Sequence, residues 1–144
     1  EELPVKTLEE FVSFENLLLF DERKRASLVR FVRNIGGATE GDSVSRAWKE
    51  VVSVEVRAQC NWNGVRRGRI KKHKLNKSPI VLAVWNGLRQ NPACSNFTDA
   101  ALQFETVKAF VRAAEATRRI AARAILLAER EADHNDEHNA EENI

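Results

Sequence analysis

Five times along this chain a helix-capping residue stands directly before apolar residues spaced three and four apart. That punctuation leaves little room for anything but helices. Thr7 and Glu10 form a T-x-x-E capping box ahead of "LEEFVSFENLLLF", where Leu8, Phe11, Val12, Phe14, Leu18 and Leu19 keep helical spacing. Asp21 caps "ERKRASLVRFVRNI", with Leu28, Phe31, Val32 and Ile35 on one side, and Gly36-Gly37 stops it. Thr39 and Asp42 open a third helix through "SVSRAWKEVVSVEVRAQ", with Val44, Ala47, Trp48, Val51 and Val52 inward. Within it "VVSVEV" alternates as a strand would, but an isolated strand has no partner here, so helix is expected throughout.

Ser78 offers a capping hydroxyl and Pro79 a first helical position for "IVLAVWNGLRQ", which ends before Pro92. Thr98-Asp99 caps the last and longest helix, expected from about Ala100 to Arg130, after which "EADHNDEHNAEENI" should fray or be disordered. The expectation is an all-α, compact five-helix domain over residues 3–119, an extension of the last helix over 120–131 and an acidic tail over 132–144.

A chain of 144 residues suffices for one domain with a core. No apolar run reaches the roughly 18 residues of a membrane span, and the opening Glu1-Glu2 is not a signal peptide. With no Met at all, the sequence reads as a piece of a longer protein. Cys60 and Cys94 show no metal-ligand or redox spacing, and two reduced, partly buried thiols are expected.

The net charge of +2 conceals segregation. Residues 1–55 hold eight bases and eleven acids, residues 56–98 nine bases and no acid, and residues 99–144 six bases and ten acids. A basic middle between acidic flanks points to an anionic partner. Its densest part is "NWNGVRRGRIKKHKLNK", a Gly-containing loop that places Arg66, Arg67, Arg69, Lys71, Lys72, Lys74 and Lys77 close together, with His73 as a further contact. Such residues bind phosphates by neutralisation and counterion release, and duplex DNA is the expected partner. On the last helix Lys108, Arg112, Arg119 and Arg123 form a basic stripe broken by Glu115, with Arg112 and Arg119 as second phosphate contacts.

Trp48 and Trp85 lie on apolar helix faces and read as core, whereas Trp62 either plugs the core beneath the loop or stacks on a partner. A small-residue seam on the last helix, with Val107, Ala114, Ala121, Ala124, Ile125 and Ala128, either packs back on the chain or meets a partner, as a homodimer or with another chromatin protein. His134 and His138 stand at i, i+4 in the polar tail, where the spacing is accidental. No phosphate-binding Gly-rich motif, nucleophile setting or cofactor motif is present, so no enzyme, cofactor, metal or small-molecule substrate is expected.

The order of "LPVKTLEEF", "LVRFVRNIGG", "NWNG", the basic loop and "LNKSPIVLAVWNGLRQNP" resembles an invertebrate family known as domain of unknown function forty-eight-oh-six, over roughly Leu3 to Arg119. That family in turn resembles the BEN domain, through a helix ending before a Gly64 turn, basic residues, and the helix Ile80 to Leu88. The resemblance implies a BEN-like fold and a nuclear, transcription- or chromatin-associated protein, and it carries no catalytic residues. The sequence departs from the family at Asn61, at Ser78-Pro79 and in the continuation through "RRIAARAILLAERE", which adds a candidate oligomer or partner surface.

Overall fold

The computed structural model describes residues 2–142, with side chains through Asn139. Six α-helices make up most of it: α1 (Leu8–Phe20), α2 (Glu22–Ile35), α3 (Glu40–Val51), α4 (Val54–Arg57), α5 (Pro79–Arg89) and α6 (Asp99–Glu142). A 3-10 turn, Pro92–Cys94, joins the last two. The fold is therefore all-α, as the capping pattern requires. Thr7 Oγ1 accepts from Glu10 N at 3.1 Å, Asp21 Oδ1 from Arg23 N and Lys24 N, and Thr39 Oγ1 from Asp42 N. Gly36, with φ +70°, follows α2.

One helix more is present than the sequence predicts, because the third is cut at Val52 and Ser53. Val52 is extended, at φ −133° and ψ 128°, and pairs in parallel with Val5. Val5 N donates to Val51 O and Ser53 N to Val5 O. The alternating "VVSVEV" thus does find a strand partner, a single N-terminal residue that local pattern cannot announce. Ser53 then caps α4 by accepting from Val56 N at 3.3 Å.

Ser78 departs from expectation in a smaller way. α5 begins at Pro79, yet the Ser78 hydroxyl makes no capping bond and is buried without a partner among the described residues.

The core forms where α1, α2, α3, α5 and the first half of α6 meet through Phe11, Leu18, Val32, Trp48, Leu88 and Phe110, each almost fully buried. α2 and α5 approach so closely that a Cβ on Gly87 would lie 2.6 Å from Val32 Cβ and 2.7 Å from Val29 O. Only glycine permits that contact. Val12, Leu19 and Phe31, placed on the inner faces by spacing, are exposed, because α1 and α2 are covered on one side only.

Thr106 is fully buried, and its hydroxyl accepts Trp48 Nε1–H at 3.2 Å and Trp85 Nε1–H at 3.1 Å. Trp48 also meets Phe110 edge to face, with ring centroids 5.0 Å apart. Cys60 and Cys94 are free and buried. Burial pushes the Cys60 thiol up to about 12, with Glu15 adding to the shift and Lys72 opposing it.

Thr106→Val keeps the shape of the side chain and leaves two buried indole N–H groups without an acceptor. It is expected to lower unfolding free energy by about 2–4 kcal/mol, read as a reduced urea midpoint at unchanged m-value. Both cysteines should resist an aromatic disulfide reagent at pH 8 in the folded protein, and both should react promptly in denaturant.

Candidate phosphate-binding loop and the adjoining groove

Between α4 and α5 the chain forms a long loop held at its base by two short parallel strands, β1 (Cys60–Asn61) and β2 (His73–Lys74). His73 N donates to Gln59 O, Leu75 N to Asn61 O and Asn76 N to Trp62 O. Leu75 is fully buried and anchors the return strand. Asn61 closes the first turn with its own amide: Nδ2 donates to Val65 O at 2.7 Å and Oδ1 accepts Val65 N at 2.9 Å. Gly64 follows Trp62 and Asn63 at φ +70°, and a Cβ there would stand 3.0 Å from Lys74 Cβ. A tight second turn pairs Arg67 with Ile70 through two backbone hydrogen bonds, with Gly68 at φ +61°.

Trp62 is partly buried and stacks on Trp85, with centroids 5.7 Å apart and planes 10° from parallel. It plugs the core beneath the loop, the first of the two roles its sequence setting allows. Through Trp85 and Thr106 the loop is tied to α6.

The seven basic residues of this loop divide by environment. Arg66, Arg67, Arg69, Lys71, Lys74 and Lys77 are exposed, and none forms an ion pair among the described residues. Lys72 is half-buried, and its ammonium donates to the carbonyl of Ala58 at the end of α4. It complements the negative helix terminus and holds the loop base. His73 is also engaged, 2.6 Å from Glu15 Oε1 and edge-on to the Phe11 ring. The other two bases of residues 56–98 are occupied as well: Arg57 is buried with Nε donating to Val52 O at 3.1 Å, and Arg89 pairs with Asp99.

The loop and α6 form the walls of a groove of about 690 Å³. Arg67 and Ile70 stand on the loop side, and Val107, Val111, Ala114 and Arg118 on the α6 side, with Glu55 among the lining residues. Lys77 lies elsewhere, beside α2 and the start of α5. Of the α6 cations expected to join the loop, Arg112 and Arg119 are exposed but do not line the groove, and Lys108 is paired with Glu105 at 3.0 Å and sits over the Phe104 ring. Arg118 lines it instead. At about 100° per residue, one position separates the two faces, and the basic stripe hid this one.

The seam residues divide too. Val107 and Ala114 line the groove, while Ala121, Ala124, Ile125 and Ala128 are exposed beyond it. α6 buries its last residue at Ala113 and continues as helix to Glu142, through most of the segment expected to fray, whose last two positions, Asn143 and Ile144, lie outside the described residues. No Gly or Pro interrupts the chain after Asp99, and polarity alone does not end a helix. Among the described residues no cluster of His, Cys, Asp or Glu is placed to hold a metal ion, and no helix is long and apolar enough to cross a membrane.

Residues 1–84 match the family model described as "Domain of unknown function (DUF4806)". No curated protein and no solved structure matches the chain. The family match ends inside α5, so the groove's α6 wall lies outside it.

Lys71→Ala is expected to change unfolding free energy by less than about 0.5 kcal/mol, since the side chain is free. Asn61→Ala should cost about 1–2 kcal/mol through its two lost bonds. Denaturant titration of both variants checks the distinction.

Proposed function

Because the chain belongs to the DUF4806 family, whose description assigns no activity, we propose from the loop itself that the protein is a non-enzymatic module that binds the phosphate backbone of duplex DNA. One observation carries this reading. Six exposed cations occupy residues 66–77 without an ion-pair partner among the described residues, in a stretch of 43 residues that holds no acid. Ordinary soluble loops mix both signs. Unneutralised positive charge on a braced loop gains most from an anion of matching charge density, and releasing the counterions of duplex DNA supplies the driving force.

The brace contributes as well. Asn61, Lys72 and the Trp62–Trp85 stack hold the loop, so less ordering entropy is lost on binding. The likeness of the helix, Gly64 turn and basic segment to the BEN domain supports placing the module in the nucleus, within a transcription or chromatin regulator.

Titration onto labelled duplex DNA across a salt series tests the reading, beside an Arg66→Glu/Lys71→Glu variant whose altered side chains touch nothing structural. Contact with five or six phosphates gives a log–log salt slope of about −5, and the variant should flatten it by about 2 while weakening binding. A variant that binds as well as the parent, with the same slope, would remove the loop from the interface.

A further inference from the structure

We infer that α2 carries a second phosphate-binding surface, which continues the basic loop across the start of α5 and meets the backbone of the same duplex. The inference rests on the reading of the loop as a phosphate contact. Five of the eight bases in residues 1–55 fall within α2, as Arg23, Lys24, Arg25, Arg30 and Arg33, against Glu22 alone. The net acidity of the whole flank conceals this helix. All five side chains are exposed, and none forms an ion pair among the described residues. Asp21, just before them, is engaged as the helix cap.

Placement joins these cations to the loop. Two adjoining hollows between α2 and α5, of about 500 and 530 Å³, share Ala26, Val29 and Asn86 in their walls and so form one trough. Arg25, Lys77 and Pro79 line its first part, and Arg30, Arg89 and Gln90 its second. At about 100° per residue, Arg33 stands about 20° round the helix from Ala26, and Arg23 about 20° from Arg30. Lys77, the loop cation set apart from the groove beside α6, is therefore where loop and trough meet. Lys74, three residues earlier, is at most about 11 Å from it. α5 starts here without a side-chain cap, and its positive end adds to the field. Glu22 is the one acid lining either hollow among the described residues, and Arg89 is already paired with Asp99.

The length of the row selects the partner. From Arg23 to Arg33 the helix rises about 15 Å, too far for one small anion to neutralise. Duplex DNA, with one charge per about 1.7 Å of its axis, matches such a row. Guanidinium forks also suit phosphate oxygens better than ammonium groups do.

Titration of the whole chain onto labelled duplex DNA across a salt series tests the inference with Arg25→Glu/Arg30→Glu. Both side chains are exposed, so the urea midpoint should stay close to the parent's. Binding should weaken by about tenfold and the log–log salt slope flatten by about 2, and by about 4 when Arg66→Glu/Lys71→Glu is added. Lys6→Glu/Lys49→Glu changes the net charge equally at exposed positions that line neither hollow, and should leave the slope near the parent's. An α2 variant that binds as the parent does, or weakens no more than this control, would overturn the inference and leave the trough to an acidic protein segment. The loop reading survives that result if Arg66→Glu/Lys71→Glu still weakens binding. A parent chain without salt-sensitive binding overturns both, so the two failures are distinct.

Discussion

The Thr106 hydroxyl accepts both Trp48 Nε1–H and Trp85 Nε1–H, and so joins α3, α5 and α6 at one buried atom. An indole N–H has no other use than donation, and a buried donor without an acceptor is costly. Each tryptophan is therefore confined to one orientation, and through them the three helices are held in one arrangement. Trp85 carries the constraint outward, because its other face supports Trp62. The basic loop is in this way continuous with the core, despite its polar composition.

That continuity separates positioning cations from free ones. Lys72 and Arg57 donate to backbone carbonyls at helix ends or bends, and Arg89 and Lys108 pair with acids. Within residues 56–98, the cations without an ion pair or backbone bond among the described residues all lie between Arg66 and Lys77, on the segment braced by Asn61 and Leu75. A charge run that looks uniform in sequence is thus two populations, one that builds the loop and one that the loop presents. On α6 the groove selects Arg118, and Arg112 and Arg119 turn away from it.

Much of the fold was legible locally. Thr7, Asp21 and Thr39 cap the helices they precede, and Gly36 follows α2. The pairing of Val52 with Val5 was not legible, since it depends on a contact 47 positions away that no periodicity announces. The silent Ser78 hydroxyl and the helical course of the acidic segment also escaped, the first because its capping bond is absent, the second because nothing breaks the helix. Of the candidate site, the loop's position and charge were visible, and the division between tied and free cations was not.

The sequence by itself determined an all-helical chain, its cap positions and a dense basic segment, because hydrogen-bond caps, 3.6-residue periodicity and net charge are local properties. Tertiary structure decided which tryptophan supports the loop, which lysine becomes a strut and which arginine lines the groove. These depend on residues distant in sequence meeting around one buried hydroxyl, and on a helical rotation of about 100° per residue that moves a side chain from one surface to another.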